Sequence, residues 1–302
     1  MQFSPVLNMP GSGNTPIALA VSSNIIVLAS PGSLSLTATV YMQIHNQWTQ
    51  VDRIELPSIN SVAVSDTDGF VAIAYENVLA MYQCRLSGCV WLQALHGNSR
   101  VAIHGSSVLA ISSYGSVSLY AYNGSMWIHS MTLTGDGFAI MQFPMLLSGD
   151  VLYSIQVSSE GIITTDKVAN FSPPNCNAFL AQPNADGSIL GYACETGYPY
   201  PNMMAYCGSV SDQQWTLCFQ SSALSDMRAT GGIITGNSIV MEGQALGNTV
   251  VAAYSLSEGS IATNPTASAV LSTNVSVPLA VSGNSVYVAT PQGVFAINCM
   301  TY

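Results

Sequence analysis

One short pattern recurs seven times along this chain and constrains its fold more than any other feature. Each copy is an apolar strand, a tight turn of Gly, Ser, Asn or Asp, and a second apolar strand. The copies are ALAVSSNIIVLA, VAVSDTDGFVAIA, VAIHGSSVLAIS, MLLSGDVLYSI, FLAQPNADGSILGYA, GIITGNSIVME and LAVSGNSVYVA. The first residues after the turns are Ile25, Phe70, Val108, Val151, Ile189, Ile239 and Val286, separated by 45, 38, 43, 38, 50 and 47 residues. This spacing predicts a repeat architecture of small antiparallel sheets.

A period of about 43 residues is typical of a four-stranded β-propeller blade. Seven copies fill the 302 residues. We therefore predict an all-β fold, a seven-bladed β-propeller of four-stranded antiparallel blades, with residues 1–302 as a single domain. The predicted blades span 17–56, 61–95, 100–133, 144–172, 178–219, 231–270, and 278–302 together with 2–10.

The four tryptophans mark the predicted fourth strands. They lie in NQWTQVDRIEL, CVWLQAL, SMWIHSM and QQWTLCF, as Trp48, Trp91, Trp127 and Trp215, and are separated by 43, 36 and 88 residues. Because large aromatic side chains supply much of the burial between packed sheets, we expect all four to be core anchors between adjacent blades.

The two ends of the chain complement each other. The last repeat contains only three strands, and QFSPVLNMP near the start resembles a fourth strand with Phe3 in the tryptophan position. We expect this N-terminal strand to complete the last blade and close the propeller, because closure removes exposed sheet edges.

The unit VAVSGxxVVVAxP…VYVFxxxxxxWTQVxxLxx resembles the FG-GAP-like repeat of integrin-type and bacterial surface propellers, and residues 17–56 are most similar to it. The resemblance implies a propeller used for adhesion or ligand binding. Calcium loops of that family need acids at alternate positions, and the chain offers only fragments such as Asp66–Gly69 and Asn184–Gly187. Both fragments lie in predicted hairpin turns, where such residues are ordinary turn chemistry, so we predict no metal site.

The charge inventory excludes some partners. Five basic residues oppose 15 acidic ones, for a formal charge of −10, and charged residues make up only 7% of the chain. Neutralising several phosphates is not feasible with five bases, so we predict no nucleic-acid partner. Polar residues interrupt every apolar run, so we also predict no membrane insertion. A neutral polar surface suits a protein outside cells or in an assembly.

The cysteines show no metal-binding spacing and are interpreted as disulfide partners. Cys84 and Cys89 flank a predicted turn between strands three and four, and Cys207 and Cys218 occupy the equivalent hairpin of blade five. Cys176 and Cys194 are expected to pair at the start of blade five, which leaves Cys299 unpaired or intermolecular.

The N-terminal segment shows no secretory signal, although disulfides favour an oxidising compartment. Three explanations stay open: processing at Met1, a viral structural component released by lysis, or a hyperthermophilic source.

The sequence contains no motif of a catalytic centre. The four histidines lie apart from one another, with no HExxH and no GxSxG element. We predict no catalytic residue and no cofactor. Carboxylates from separate blades are still able to meet in a propeller channel, as in glycosidases, so a secreted carbohydrate-active enzyme is the alternative function.

Two further groups of residues are candidates for recognition. Tyr198, Tyr200 and Asn202 lie in a proline-stiffened segment, and Asp136 lies in the long segment before blade four. Rigid tyrosines are good contact residues for protein or glycan, so we predict ligand binding there. The sequons at Asn123, Asn170 and Asn274 are candidate glycosylation sites, should the chain enter a glycosylating compartment.

The leading prediction is therefore a non-enzymatic binding or structural propeller on an extracellular or virion surface, acting in attachment or assembly. Its expected partners are proteins or glycans, including other subunits of a surface assembly.

Overall fold

A computed structural model describes most of the chain. The described residues are 3–9, 14–65, 67–97, 100–105, 108–113, 115–134, 139–140, 145–148, 151–158, 162–170, 182–183, 188–196, 202–209, 215–220, 228–235, 238–245, 247–257, 260–261, 265–271 and 277–299. All regular structure among them is β-strand, arranged in seven antiparallel sheets. The chain divides into two compact units, residues 9–167 and residues 168–302 together with 1–8.

The unit of residues 9–167 contains sheets 1 to 4, each with its strands in chain order. Sheet 1 consists of β2 (Ala18–Val21), β3 (Ile25–Pro31), β4 (Leu36–Ile44) and β5 (Gln47–Leu56). Sheet 2 consists of β6 (Ser61–Val64), β7 (Phe70–Tyr75), β8 (Val78–Arg85) and β9 (Gly88–His96). Sheet 3 consists of β10 (Arg100–His104), β11 (Val108–Ser113), β12 (Ser116–Tyr122) and β13 (Trp127–Leu133). Sheet 4 consists of β14 (Ala139–Ile140), β15 (Met145–Ser148), β16 (Val151–Val157) and β17 (Ile163–Asn170).

The second unit contains sheets 5 to 7. Sheet 5 consists of β18 (Gln182–Pro183), β19 (Ser188–Thr196), β20 (Asn202–Ser209) and β21 (Trp215–Gln220). Sheet 6 consists of β22 (Arg228–Thr235), β23 (Ser238–Ala245), β24 (Asn248–Ser257), β25 (Ser260–Ile261) and β26 (Ala267–Leu271). Sheet 7 consists of β27 (Leu279–Ser282), β28 (Ser285–Thr290), β29 (Gly293–Asn298) and the N-terminal strand β1 (Phe3–Asn8).

The pairing of β1 confirms that the N-terminal strand completes the last sheet. It lies antiparallel to β29, with Phe3 opposite Ile297. Phe3 packs against the apolar core of sheets 6 and 7 together with Ile233 and Leu279. The segment therefore contributes both backbone pairing and a core aromatic side chain.

Two sheets differ from their predicted form. Sheet 4 begins at Ala139, before the predicted boundary of 144, so the repeat MLLSGDVLYSI supplies its two middle strands. In sheet 6 both β25 and β26 pair with β24, which makes five strands instead of four. Pro265 lies between β25 and β26. Because proline has no backbone N–H to donate, it interrupts what would otherwise be one fourth strand.

The second strands of sheets 1 and 2 explain the apolar runs of the repeat. In β3 and β7, five consecutive residues are buried, Ile25–Ala29 and Phe70–Ala74. Val27 packs in a core with Val71 of sheet 2, whereas Phe70 packs with Leu109 of sheet 3. A strand covered by neighbours on both faces is apolar at every position, in contrast to the alternation of a half-exposed strand.

A β-bulge recurs at the same place in five sheets. The third strand carries an aromatic residue, and the register with its neighbour shifts beside that residue. The residues are Tyr41, Tyr82, Tyr120, Tyr206 and Phe295. Bulges bend and twist an edge strand, which hinders pairing with another chain. Because the bulge has the same position in these five sheets, it aligns their strands and identifies equivalent residues.

Counted from this bulge, the predicted tryptophan anchors divide into two groups. In four sheets, a large aromatic residue of the fourth strand pairs with the third-strand residue that lies two positions after the bulge aromatic. These equivalent residues are Trp48, Trp127, Trp215 and Phe3. Trp91 instead lies directly opposite Tyr82, and Cys89 holds the equivalent position in sheet 2.

The burial of the described tryptophan side chains follows from this register. Trp127 is 2% exposed, which confirms it as a core anchor, and Trp48 is half-buried. Trp91 is 58% exposed, so the predicted anchor role is wrong for this residue. The Cys84–Cys89 disulfide occupies the anchor position and Trp91 lies two residues further along the strand.

Candidate interaction surface

Exposed apolar side chains are concentrated at two neighbouring hairpins of sheets 2 and 3. Of the nine large apolar side chains exposed among the described residues, five belong to the β8–β9 and β12–β13 hairpins. They are Leu86 (60%), Val90 (66%), Trp91 (58%), Met126 (51%) and Ile128 (48%). We call these five residues the edge-strand surface, because β9 and β13 are the edge strands of their sheets. Clustered exposed apolar side chains mark interaction sites, whereas scattered ones are ordinary.

A disulfide holds the first hairpin. Arg85 lies opposite Gly88, which leaves Leu86 and Ser87 as a two-residue turn. The predicted Cys84–Cys89 disulfide is present on the next rung, with the two Cα atoms 3.9 Å apart. Cys84 is buried in the core between sheets 1 and 2. The cross-link therefore fixes Leu86, Val90 and Trp91 relative to a buried core.

Side-chain hydrogen bonds hold the second hairpin. Asn123 Oδ1 accepts hydrogen bonds from the backbone N–H of Ser125 at 3.0 Å and of Met126 at 2.9 Å, and from the Ser125 hydroxyl at 3.0 Å. Asn side chains often close turns in this way, and Gly124 adopts a positive φ of 94°. The turn therefore places Met126 and Ile128 on either side of the buried Trp127.

The side-chain amide of Gln93 joins the two hairpins. Its Oε1 accepts a hydrogen bond from the Trp127 backbone N–H at 2.9 Å, and its Nε2 donates to the Trp127 carbonyl oxygen at 3.1 Å. Trp91 precedes Gln93 by two residues, which spans about 7 Å of strand. The two hairpins are consequently joined by a two-bond link between β9 and β13.

Asp52 makes the equivalent link between sheets 1 and 2. Its Oδ2 accepts a hydrogen bond from the Cys89 N–H at 2.7 Å, and its Oδ1 accepts one from the Arg53 N–H at 2.7 Å. Asp52 and Gln93 each follow the bulge by one residue, so the linkage repeats from one fourth strand to the next. In sheet 3 the equivalent residue is Met131, which has no such acceptor.

An aromatic cluster lies in the core between sheets 2 and 3. The Phe70 ring contacts Tyr122 and Trp127 with ring centroids 4.7 and 5.5 Å apart, in edge-to-face geometry. The Trp127 Nε1–H is buried and makes no hydrogen bond with any described residue. Its indole ring therefore contributes by packing.

Tyr82 lies directly opposite Trp91 and connects it to the core. Tyr82 is half-buried and packs against the core between sheets 1 and 2. Burial raises the pKa of the Tyr82 phenol, and the nearby Tyr75 and Asp52 raise it further. The phenol is therefore neutral at physiological pH. At the equivalent register in sheet 3, Tyr120 meets His129, with ring centroids 5.3 Å apart.

The predicted recognition residues lie elsewhere. Tyr198, Tyr200 and Asp136 fall outside the described residues, and Asn202 is the first residue of β20, with its side chain undescribed. The ligand-binding role of these four residues stays a prediction. The edge-strand surface was missed by the sequence analysis, because all four tryptophans were interpreted as core anchors.

The remaining cysteine and glycosylation predictions are tested only in part. Cys299 is a free, buried thiol that donates a weak hydrogen bond to the Ile297 carbonyl oxygen at 3.6 Å. Cys207 lies opposite Thr216 on adjacent strands. The side chains of Cys194, Cys207, Cys218 and Asn170 are undescribed, and Cys176 and Asn274 fall outside the described residues. Asn123 is exposed in its turn, and its glycosylation stays a prediction.

The described part of the chain shows neither a metal-ligand cluster nor a membrane-spanning helix. It contains no group of three or more His, Cys, Asp or Glu side chains suited to a metal ion. Within the same residues, no helix is long and apolar enough to cross a membrane.

The architecture defines the class of protein. Among the described residues, small antiparallel sheets pack face to face around apolar inner strands, as sheets 1 and 2 and sheets 2 and 3 do, and this architecture makes the chain a β-propeller protein.

Solved structures of β-propellers are similar to it over nearly their whole length. The RRP9 WD40 repeats match with a TM-score of 0.63 and 10% identity, over 98% of this chain and 99% of that chain. A chain of the mitotic checkpoint complex matches with a TM-score of 0.60 and 13% identity, over 98% and 93%. A protein from Lactobacillus plantarum matches with a TM-score of 0.60 and 14% identity, over 86% of each chain. At these identities the likeness establishes the fold alone.

Sequence comparison adds no family. No family model and no curated protein matches the chain. The predicted fold class, an all-β propeller of antiparallel sheets, is confirmed, while its count of seven blades, its closure and the resemblance to FG-GAP-like repeats stay predictions.

Proposed function

We propose that this chain is a non-enzymatic binding scaffold that holds another protein on its edge-strand surface. The observation that carries the proposal is the concentration of Leu86, Val90, Trp91, Met126 and Ile128 at two linked hairpins. One of the similar structures belongs to the mitotic checkpoint complex, which supports a role for this fold in protein assembly.

The composition of the surface favours a protein over a glycan. Four of its five side chains are aliphatic or thioether groups, which bury well against another apolar surface. A sugar offers a polar ligand with many hydroxyl groups, for which polar side chains around an aromatic ring are better suited. Trp91 is the expected hot spot, because tryptophan is enriched among residues that dominate binding energy.

The surface is preorganised for binding. The Cys84–Cys89 disulfide, the Asn123 turn and the Gln93 link hold the exposed side chains on paired strands. Rigid presentation lowers the entropy lost on association, so more of the buried apolar area contributes to affinity.

We further propose that the protein works on an extracellular or virion surface, in attachment or assembly. The disulfide and the scarcity of charged residues, 7% of the chain, support this setting. Fractionation of the native source tests it: the chain should sediment with virions, filaments or cell envelope, and recovery as a soluble monomer would contradict the setting.

The binding proposal is tested with Trp91→Ser and a matched control. Leu34 is a fully exposed apolar residue in the β3–β4 turn of sheet 1, outside the edge-strand surface, so Leu34→Ser makes a similar change at a neutral place. The wild-type chain and both variants are immobilised and exposed to extract of the native source. Proteins retained by the wild type are identified by mass spectrometry, purified and titrated against each variant.

We expect at least one purified protein whose Kd rises about thirty-fold with Trp91→Ser, as for a hot spot, and stays unchanged with Leu34→Ser. Circular dichroism must show that both variants are folded. Equal binding to all three chains would refute the edge-strand surface as the site.

A further inference from the structure

We infer that two copies of this chain associate through β26, the outer strand of sheet 6, which pairs antiparallel with the same strand of the second copy about a two-fold axis. The contact joins the free backbone edge of Ala267–Leu271 in one copy to that in the other. The inference goes beyond the proposed function, because it concerns a different strand and a contact between identical chains.

The backbone of β26 has one free edge. The strand pairs with β24 on one side, from Ala253 opposite Ala267 to Thr249 opposite Leu271, and no strand of the described residues pairs with its other side. In an antiparallel pair, every second residue directs its N–H and C=O groups away from the neighbouring strand. These groups of β26 are therefore available to a further strand, as in β-strand addition.

The outer strands of the other six sheets carry features that hinder such pairing. Five of them, β1, β5, β9, β13 and β21, contain the β-bulge, and β1 also contains Pro5. The sixth, β17, carries the exposed charges of Asp166 and Lys167. Bulges, prolines and charged side chains protect sheet edges. Because β26 has a regular register and contains no proline and no charge, it is the least protected outer strand among the described residues.

Side-chain packing holds β26 in place. Exposure alternates along the strand, with Ala267, Ala269 and Leu271 partly buried and with Ser268 and Val270 exposed. Ala267 and Leu271 pack against the apolar core of sheets 6 and 7, whereas Val270 is 69% exposed. A strand fixed in this way loses little entropy on pairing, and it presents one large apolar side chain beside its free edge.

The distribution of charge favours a second copy as the occupant. All Asp, Glu, Lys and Arg residues lie between Asp52 and Glu258, and residues 259–302 contain none of them and no His. Two copies of formal charge −10 repel each other least where they meet through uncharged surface. Symmetric pairing also brings identical residues together, and like charges across a strand pair are destabilising. β26 meets both conditions, whereas it offers no charge by which a different partner would be selected.

The expected register is centred on Ala269. Antiparallel pairing of the whole strand sets Ala269 opposite its equivalent, Ser268 opposite Val270, and Ala267 opposite Leu271. Pairing over this length forms about four to six backbone hydrogen bonds. The two Val270 side chains become diagonal neighbours on one face, where each buries apolar surface that is exposed in a single chain.

Sedimentation equilibrium of the full chain over a range of concentrations tests the inference, with Val270→Lys and Ser268→Lys as variants. Leu34→Lys is the matched control, because it makes the same change of net charge at an exposed residue of the β3–β4 turn. Circular dichroism checks that all three variants are folded. We expect a reversible wild-type dimer that Leu34→Lys leaves unchanged. Its Kd should rise about thirty-fold or more with either β26 variant, because each substitution acts twice across the axis.

Opposite charges at one position test the two-fold symmetry. Val270→Lys and Val270→Asp should each stay monomeric at concentrations where the wild type dimerises, because the diagonal pair then repels. An equal mixture of the two should form a heterodimer, since the pair is then oppositely charged. Amide hydrogen exchange of β26 should slow as the wild-type chain is concentrated and stay fast in Val270→Lys.

Each contrary outcome overturns the inference. A wild-type chain that is monomeric at its highest soluble concentration, or a dimer that both β26 variants leave intact, removes β26 as the contact. Dissociation by Val270→Lys that mixing with Val270→Asp does not reverse refutes pairing about a two-fold axis. A dimer that is lost in Trp91→Ser and kept in the β26 variants assigns self-association to the edge-strand surface. Failure of the proposed function shows separately, as equal binding of a partner by the wild type and Trp91→Ser.

Discussion

The hydrogen bonds of Gln93 provide the sharpest test of how sheets 2 and 3 are joined. Replacing Gln93 with Met removes both bonds to the Trp127 backbone and keeps a side chain of similar length and volume. Methionine is compatible with this position, because Met131 occupies the equivalent register in sheet 3. The substitution therefore tests the polar contacts with little change in packing.

The expected loss follows from the two contacts. Each is a neutral hydrogen bond, worth about 1 kcal/mol net, and Trp127 is nearly fully buried, so water replaces them poorly. We expect Gln93→Met to lower the free energy of unfolding by about 2 kcal/mol. Urea unfolding monitored by tryptophan fluorescence measures it, and Gln50→Met, at an exposed position of β5, is the matched control with a change below about 0.5 kcal/mol.

A carboxylate at the same position adds a pH signature. Gln93→Glu keeps an acceptor for the Trp127 N–H, but its ionised carboxylate faces the Trp127 carbonyl oxygen, from which the amide used to receive its hydrogen bond. The variant should be destabilised at neutral pH and recover as the carboxyl is protonated near about pH 4. If Gln93→Met unfolds like Gln50→Met, the link carries no net stability and water substitutes for the amide.

Two more perturbations test the hairpin and the buried ionisable groups. Replacing both Cys84 and Cys89 with Ser should lower the free energy of unfolding by about 2 kcal/mol, the loop-closure entropy of a six-residue ring. Urea unfolding with and without reductant measures the change. Equal midpoints for the oxidised and the reduced wild type would contradict the prediction. Burial raises the pKa of the Cys299 thiol and of four tyrosines, Tyr41, Tyr82, Tyr120 and Tyr287. Folding favours the neutral forms of these groups, so the stability they contribute is present at neutral pH and is lost as the pH rises past about 10. Unfolding curves and phenolate absorbance, recorded against pH, measure this loss. Phenolate formation in the folded protein at the same pH as in the unfolded chain would refute the prediction.

The repeat predicts the fold because its clearest copies report the same environment. Ile25–Ala29 and Phe70–Ala74 are apolar at each position, and only a strand covered on both faces requires this. The Cys84–Cys89 pair was predictable for a similar reason, since a short turn between antiparallel strands sets the two residues opposite each other. At the apolar strands and at the cysteine pair, the local sequence pattern matches the contacts that the fold makes.

The errors arise where a strand is short or interrupted. Ala139–Ile140 is a two-residue strand that carries no alternation of its own, so its place in sheet 4 depends on tertiary contact. In sheet 6, Pro265 divides the fourth strand, and the sequence alone does not show that both parts pair with β24. The candidate surface was missed because tryptophan was interpreted by type and not by register.

The register offered a way to recognise Trp91 as different. Trp48 and Trp127 follow the third-strand tyrosines Tyr41 and Tyr120 by seven residues. Cys89 follows Tyr82 by the same seven residues, whereas Trp91 follows it by nine. A comparison anchored on the tyrosines would therefore have placed the cysteine, and not the tryptophan, in the buried position.

This displacement also bears on function. In sheet 2 the buried position is occupied by a cross-linked cysteine, so the fold does not need Trp91 as an anchor, and more than half of its indole surface faces solvent. A serine or threonine there would meet the requirements of an exposed edge strand and lower the risk of aggregation. Stability alone thus explains the disulfide and Trp127 but not Trp91, Val90 and Ile128. The proposed contact with another protein would account for these exposed residues, and Trp91→Ser should accordingly weaken binding about thirty-fold while it leaves the urea unfolding midpoint unchanged.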